Sequence, residues 1–169
     1  AKALVTFLKS PAAAAVFIPR RILYGLAEPI YGLAVLMLLA VLIAGTGPGS
    51  HRWFVLGPVY VQPSEFAKLG VALVLAKFYG ENRGAPAWVE LGIGGLLTAV
   101  PLVLIAREPD LGTAVVLLPV LLAIAYLAGM RLRVLGLLCL CFILAAPVAW
   151  RFGLKDYQKT RISTFLDPS

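Results

Sequence analysis

Long apolar runs, separated by short polar or glycine- and proline-rich segments, fill most of this chain. A run of about 20 apolar residues is long enough to cross a hydrocarbon core of about 30 Å as a helix. The pattern therefore predicts an all-α polytopic transmembrane bundle with about six spans. The predicted spans are residues 3–19, 29–46, 63–79, 88–106, 111–129 and 134–150. The first is weak, because Lys9 and Pro11 interrupt it.

The composition agrees with a membrane protein. Hydrophobic residues make up 61% of the 169 residues, charged residues 14%, and the mean hydropathy is +0.93. A soluble domain has about 45–50% apolar and about 25% charged residues. The net charge of +7 does not indicate a nucleic-acid partner, because the Lys and Arg residues lie between apolar runs and not among base-stacking aromatics. Cations that flank apolar spans suit the headgroups of membrane lipids.

We expect residues 1–169 to form a single transmembrane domain that is incomplete at both ends. The chain starts at Ala1 in the middle of a pattern, with no cleavable signal peptide, and "TRISTFLDPS" stops without a final helix. No internal repeat or low-complexity tract marks a second domain.

The basic residues predict the orientation of the bundle, since connections rich in Lys and Arg stay in the cytoplasm. Alternate connections carry Arg20 and Arg21, Lys77 and Arg83, and Arg131 and Arg133. Residues 47–62 are then an outer loop, the "REPDL" turn lies on the outer face, and residues 151–169 form an outer, membrane-proximal segment. This last segment is net positive, with Arg151, Lys155, Lys159 and Arg161 against Asp156 and Asp167. Either it departs from the rule for a functional reason, such as holding an anionic ligand, or the span count is wrong by one.

An ion pair is predicted in "QPSEFAKLG", residues 62–70, at the start of the third span. Glu65 and Lys68 are one helical turn apart, so they can pair on one face. One interpretation is a half-exposed pair at the interface, with Lys68 reaching outward. The other is a functional cavity, since charges inside a span are costly and usually face the bundle interior. Apolar residues follow the pair at once, and we favour the cavity.

A second polar cluster, "REPDLGT", separates the fourth and fifth spans. Asp110 is a good N-cap, because its carboxylate can accept N–H bonds from the first turn of the next helix. Capping does not account for Arg107 and Glu108 beside it at membrane depth. Together with Glu65 and Lys68, these residues form a candidate site that either binds a charged group or moves a proton.

The outer loop and the final segment supply further candidates. Trp53 is typical of the aromatic belt at a membrane interface, whereas Arg52 beside it can grip phosphate or pyrophosphate with its guanidinium fork. His51 is the only histidine of the chain, and we interpret it as a solvated side chain without a metal. Lys159 and Arg161 are interpreted as headgroup contacts of a segment that lies along the membrane surface.

The two cysteines, Cys139 and Cys141, lie in the sixth span. Neighbours two apart on a helix point to different faces. We therefore predict buried structural thiols and neither a disulfide nor a metal site.

Three motifs resemble the SEDS family (shape, elongation, division and sporulation), and its elongation branch more than its division branch. They are "HRWFVLGPVYVQPSEFAKLG", "EPDLGTA" and "DYQKTRISTFLDPS", and their order and spacing fit over nearly all of residues 45–169. By this resemblance, Glu65 and Lys68 match the buried charged residues of a central cavity. Asp110 matches the acidic residue of the PDLG motif, and Arg52 and Trp53 match an outer-loop pair.

The resemblance implies a peptidoglycan glycosyltransferase of the bacterial inner membrane that polymerises lipid II, a disaccharide-peptide on undecaprenyl pyrophosphate, for cell elongation and shape. It implies a bundle of about ten transmembrane helices. It also implies a class B penicillin-binding protein as partner. It identifies no cofactor and leaves a divalent cation open. The aspartate usually proposed as essential for glycosyl transfer is expected in a large outer loop beyond Ser169, so Asp167 is not that residue.

Two other functions stay open on these residues alone. Charges inside spans mark substrate pathways at least as often as catalytic sites, which fits a lipid II flippase or transporter. A non-catalytic scaffold that activates a penicillin-binding protein is the remaining alternative.

Overall fold

A computed structural model describes residues 19–45, 53–56, 59–82, 84–108 and 110–148. Within these residues the helices are α1 (Arg20–Ala44), α2 (Pro63–Glu81), α3 (Trp88–Arg107), α4 (Leu111–Leu127) and α5 (Leu132–Val148), and the strands are β1 (Phe54–Leu56) and β2 (Val59–Val61). The predicted first span, apart from Pro19, and the whole segment 151–169 lie outside the described residues.

The most extensive contact between helices joins α1 and α2. The buried residues of α1 are Ala27, Ala34, Leu38 and Val41. The buried apolar side chains of α2 include Ala67, Val71, Leu75 and Tyr79. In both sets, successive residues are three, four or seven positions apart. Each set therefore lies on one face of its helix. The two faces pack together and, with Ile105 of α3 and Leu117 of α4, form the centre of the core.

Gly70 allows the backbones of α1 and α2 to approach closely. A Cβ added at Gly70 would lie 3.1 Å from the Cα of Tyr31, a backbone atom that cannot rotate away. Transmembrane helices often use small residues at such crossings, since lipid provides no hydrophobic drive for helices to associate. The crossing therefore explains a glycine in the interior of α2.

A tyrosine of α1 bonds to a carbonyl of α3 that a proline has left without its helical partner. Pro101 lies inside α3 and has no N–H for the carbonyl of Leu97, four residues earlier. The hydroxyl of Tyr31 donates to that carbonyl oxygen at 2.8 Å. Proline is tolerated in transmembrane helices where neighbours satisfy the freed backbone group, and here α1 supplies the donor.

Large apolar side chains cover the outside of the bundle. The exposed fraction is 64% for Leu36, 90% for Ile43 and 82% for Leu127. Soluble monomers rarely expose large contiguous apolar patches, so this surface is suited to contact with the hydrocarbon core of a membrane. By length and composition, α1 and α3 can cross a membrane, with hydropathies of 2.3 and 2.1, while Gly112–Leu127 and Leu132–Leu144 are shorter apolar helices. The fold is the helical transmembrane bundle that the sequence predicts.

The connections that carry the basic residues meet at one end of the bundle. Tyr24, early in α1, contacts Gly80, late in α2. A Cβ at Gly129, just after α4, would lie 3.8 Å from the Cα of Ala85, just before α3. Among the described residues, the exposed cations at this end are Arg20, Arg21, Arg131 and Arg133. We call it the inner end and the opposite one, with the hairpin and Asp110, the outer end. That the inner end faces the cytoplasm stays a prediction.

Two elements differ from the sequence prediction. Residues 29–44 of the span predicted at 29–46 belong to a longer helix, which starts at Arg20 and ends at Ala44. Hydropathy marks only its apolar portion, whereas the helix itself continues through Glu28 and the two arginines before it. Within the predicted outer loop 47–62, β1 and β2 form an antiparallel hairpin in which Phe54 pairs with Val61.

Both cysteines are free, as predicted. Cys139 is partly buried, but Cys141 is exposed on α5. The predicted burial is therefore wrong for Cys141, because α5 presents that face outward and not to its neighbours.

Candidate functional site

Polar side chains from three helix ends gather at the outer end. Gln62 directly precedes α2, two charged residues lie in the first two turns of that helix, and the turn between α3 and α4 supplies the rest. This turn is short, so the end of α3 lies beside the start of α4. We call the following residues the outer-end site: Gln62, Glu65, Lys68, Arg107, Glu108 and Asp110.

Asp110 caps the N-terminus of α4, which confirms the prediction from "PDLGT". Its Oδ1 accepts from the backbone N–H of Thr113 at 3.4 Å, and its Oδ2 accepts from the Thr113 hydroxyl at 2.8 Å. The Asp110 carbonyl accepts from the N–H of Ala114 at 3.1 Å. The first turn of an α-helix leaves N–H groups without helical partners, and this carboxylate satisfies one of them.

Gln62 links the start of α2 to the cap of α4. Its Nε2 donates to Oδ2 of Asp110 at 3.1 Å, across 48 residues of sequence. Gln62 occupies the N-cap position of α2, but its side chain makes no cap bond there. The bond joins the two quoted motifs, "QPSEFAKLG" and "EPDLGTA". Gln62 was not among the site residues predicted from the sequence. Its position at the start of the first motif was the only feature that could have indicated it.

Glu65 and Lys68 form the predicted ion pair. Nζ of Lys68 lies 2.8 Å from Oε1 of Glu65. The side chain of Glu65 is 56% exposed and that of Lys68 is 29% exposed in the described part of the chain, on the side of α2 away from Ala67. An exposed pair of this kind contributes about 0–1 kcal/mol to stability. The cavity role of the pair stays a prediction.

Glu108 and Arg107 are neighbours in sequence but differ in environment. Arg107 is exposed in the last turn of α3, whereas Glu108 is only 2% exposed. The backbone N–H of Glu108 donates to the carbonyl oxygens of Ile105 at 3.0 Å and Leu104 at 3.3 Å, which closes the helix. A carboxyl group is rarely placed in the interior of a protein, because burying its charge is costly. Glu108 is therefore a buried carboxyl residue of the turn and not one of its surface residues.

Ser64, the residue before Glu65, was not among the predicted site residues. It is fully buried at the start of α2, and its Oγ has no hydrogen-bond partner among the described residues. No pattern in the sequence distinguishes this hydroxyl from one exposed to water.

The hairpin carries the aromatic member of the predicted outer-loop pair. The rings of Trp53 and Tyr60 meet edge to face, with centroids 6.3 Å apart and planes at 87°. Trp53 is 36% exposed and Tyr60 is 66% exposed, as expected for an aromatic belt. Arg52 and His51 lie outside the described residues, as do Lys159 and Arg161, and their roles stay predictions.

The chemistry that this site offers is positioning and charge. No group of three or more His, Cys, Asp and Glu side chains is placed to hold a metal among the residues described. The Asp110 carboxylate is engaged by Thr113 and Gln62, which suits a residue that organises helix ends. Glu65 and Lys68 present opposite charges next to this arrangement.

Comparison with known sequences identifies relatives of the chain. Residues 5–169 match the family described as cell cycle proteins, the FtsW, RodA and SpoVE group. The peptidoglycan glycosyltransferase MrdB of Escherichia coli is 35% identical over 152 residues, which cover 89% of this chain and 41% of MrdB. The probable peptidoglycan glycosyltransferase FtsW of Nitrosomonas europaea is 35% identical over 158 residues, 89% of this chain and 40% of that protein. The chain thus spans about two fifths of the length of these relatives.

Solved structures share the fold. A chain of a peptidoglycan synthase complex, described for its coordination of polymerization and crosslinking, matches with a TM-score of 0.71 at 39% identity and covers 90% of this chain and 45% of that chain. The rod shape determining protein RodA of Thermus thermophilus matches with a TM-score of 0.63 at 40% identity, covering 75% and 43% respectively.

Proposed function

The chain belongs to the FtsW, RodA and SpoVE family of cell cycle proteins, and we propose that it is part of a peptidoglycan glycosyltransferase of the RodA type. Such an enzyme polymerises lipid II into glycan strands for cell elongation and cell shape. The names of the relatives support the activity, and the similarity to RodA supports the role in rod shape.

The observation that carries the proposal is the hydrogen bond between Gln62 and Asp110. It holds the two motifs of the resemblance together at the outer end, beside the ion pair of α2. In the proposal the outer end faces the outside of the cell, where lipid II is polymerised. The outer-end site would then hold the reacting groups of this lipid-linked sugar.

Glycosyl transfer defines what the residues must do. The acceptor hydroxyl oxygen bonds to the anomeric carbon of the donor, the bond from that carbon to undecaprenyl pyrophosphate breaks, and a base takes the hydroxyl proton. Cations stabilise the departing pyrophosphate. In the proposal Arg52, Lys68, Lys159 and Arg161 serve the pyrophosphate, and the base is an aspartate beyond Ser169. Glu65 and Lys68 keep each other charged and fix the shape of the cavity.

The proposed location is the bacterial inner membrane, with a class B penicillin-binding protein as partner. The apolar helices support a membrane location. The similarity to a chain of a complex that coordinates polymerization and crosslinking supports a partner that crosslinks the glycan strands.

A polymerisation assay tests the proposal. The full-length protein is reconstituted in vesicles with fluorescent lipid II and no other glycosyltransferase, and the products are separated by gel electrophoresis. Glycan strands are expected. Movement of labelled lipid II between leaflets without polymer would instead identify a flippase. Neither activity, together with stimulation of an added penicillin-binding protein, would identify a scaffold.

Charge-swapped variants test whether the outer-end site takes part. Gln62→Glu places a second carboxylate where Nε2 lies 3.1 Å from Asp110 and should slow polymerisation strongly. Adding Asp110→Asn restores an amide opposite a carboxylate and should recover part of the rate. Glu81→Gln, exposed at the other end of α2, is the matched control and should keep the parent rate. Equal rates for the single and double variants would exclude the bond from function.

The ion pair is tested separately. Glu65→Gln and Lys68→Ala should each lower the polymerisation rate while the protein remains folded, since the pair lies on an exposed face. If both variants polymerise lipid II at the parent rate, the pair has no role in the cavity.

A further inference from the structure

Two cavities adjoin each other at the inner end, far from the outer-end site. One has a volume of about 300 Å³ and lies between α3, α4 and α5. The other has a volume of about 250 Å³ and lies between the start of α3 and the connection from α4 to α5. They share Trp88 and Leu91 as lining residues, so they are neighbours, and we call the two cavities together the groove.

The first cavity is apolar and partly open. Its walls are Leu91, Leu121, Leu138 and Phe142 together with two glycines of α3. Gly92 and Gly95 have nothing within 4 Å of the position a Cβ would take, so the missing side chains leave the space open. A cavity with such walls suits a hydrocarbon chain.

The second cavity adds a positively charged residue at the inner end. Arg131, immediately before α5, lines it beside Met130 and Val134. Glu90 does not line the cavity, and its carboxylate accepts from the backbone N–H of Ala87 at 2.7 Å. Basic pockets between helices at the inner membrane surface favour anionic lipid headgroups, and the cytoplasmic leaflet is negatively charged.

We infer that this groove binds one anionic phospholipid of the inner leaflet. The phosphate lies at Arg131, the glycerol region passes Trp88, and one acyl chain fills the apolar cavity between α3, α4 and α5. The position of the groove separates it from the outer-end site, so the inference does not depend on the proposed glycosyltransferase activity.

Fluorescence quenching by brominated lipids tests the inference. The full-length protein is reconstituted in phosphatidylcholine nanodiscs that contain increasing fractions of brominated phosphatidylglycerol or, in parallel, brominated phosphatidylcholine. The signal of Trp88 is the difference between the parent protein and Trp88→Phe. We expect half-maximal quenching at a fraction of phosphatidylglycerol about fivefold lower than that of phosphatidylcholine, the factor that one cation near an anionic surface provides.

Matched variants distinguish lipid binding in the groove from a general attraction of anionic lipids to the charged surface. Arg131→Gln should abolish the preference for phosphatidylglycerol, and Arg131→Lys should keep most of it. Arg133→Gln, an exposed cation that does not line the groove, should leave the preference unchanged. Gly95→Leu fills the apolar cavity and should also remove the preference, whereas Gly136→Leu, at another open glycine, should not.

Three results would overturn the inference. Equal quenching by the two lipids would mean that the groove does not select an anion. An equal loss in Arg131→Gln and Arg133→Gln would assign the preference to the general charge of the inner end. An absence of quenching by either lipid would mean that another helix, and not a lipid, covers Trp88.

Discussion

Removing the hydroxyl of Tyr31 tests the bond that joins α1 to α3. In Tyr31→Phe the ring and the backbone remain, so the close crossing with Gly70 is unchanged and only the donor to the Leu97 carbonyl is lost. Pro101 cannot replace that donor, because it has no N–H. The Leu97 carbonyl then lacks a hydrogen-bond donor in a part of the bundle that little water reaches.

The expected cost follows from the geometry. An unsatisfied buried acceptor costs about 1–3 kcal/mol, and hydrogen bonds between transmembrane helices contribute about 0.6 kcal/mol on average and up to about 1.7 kcal/mol. The bond to Leu97 is 2.8 Å long and its acceptor has no helical donor. We therefore expect Tyr31→Phe to lower the free energy of unfolding by about 1–2 kcal/mol.

Tyr79→Phe is the matched control. The hydroxyl of Tyr79 donates to the Glu90 carbonyl over a longer distance, 3.4 Å. Gly94, four residues after Glu90, has an N–H that can serve the same carbonyl. The control should cost about 0.5 kcal/mol or less, since the acceptor keeps a partner.

A double-mutant cycle with Pro101→Ala identifies the carbonyl. Alanine at this position supplies the missing N–H to Leu97, so the loss of the Tyr31 hydroxyl should cost about 1 kcal/mol less in that background. Unfolding of the full-length protein by sodium dodecyl sulfate in mixed micelles measures all the variants under one condition. The reasoning is refuted if Tyr31→Phe costs the same in both backgrounds, or if Tyr79→Phe shows the same coupling.

Other substitutions test the remaining contacts. Gly70→Val should lower the free energy of unfolding by about 1–3 kcal/mol, because the new side chain meets the backbone of Tyr31. Thermal unfolding in detergent checks this, and an unchanged midpoint would contradict the close crossing. Asp110→Ala should cost about 1 kcal/mol through the lost N-cap and speed amide hydrogen exchange at the start of α4, while Asp110→Ser should recover most of the loss. Lys77→Met breaks a 2.8 Å pair with Glu28, whose side chain is 71% exposed, and should leave the midpoint of thermal unfolding nearly unchanged. A clearly lower midpoint would indicate that the pair is shielded from water.

The apolar runs located every helix of the described residues, because burial in lipid requires the same composition that the runs display. The helices α2, α3 and α4 begin at the residues where the predicted spans begin. The start of α1 could not be predicted in this way, since a helix extends through the charged interface where hydropathy gives no signal. The hairpin was missed for a similar reason, because its short strands carry no long periodic pattern.

The candidate site was predictable only where its contacts are local. Glu65 with Lys68 and Asp110 with Thr113 are separated by one helical turn, and that spacing fixes which side chains can meet. The bond from Gln62 to Asp110 joins different helices. It depends on the rotation of α4 about its axis, and α4 is apolar on all sides, so no polar stripe reveals which face packs inward.

The bond between Gln62 and Asp110 makes the two motifs of the outer end a single structural unit. Loss of the Asp110 carboxylate removes the cap of α4 and releases Gln62 at the same time. Since Gln62 directly precedes α2, its side chain links the helix that carries Glu65 and Lys68 to the cap of α4. A change in the second motif should therefore alter the first, and the effects of Gln62→Ala and Asp110→Ala on stability and on the proposed polymerisation should be smaller together than the sum of the two alone.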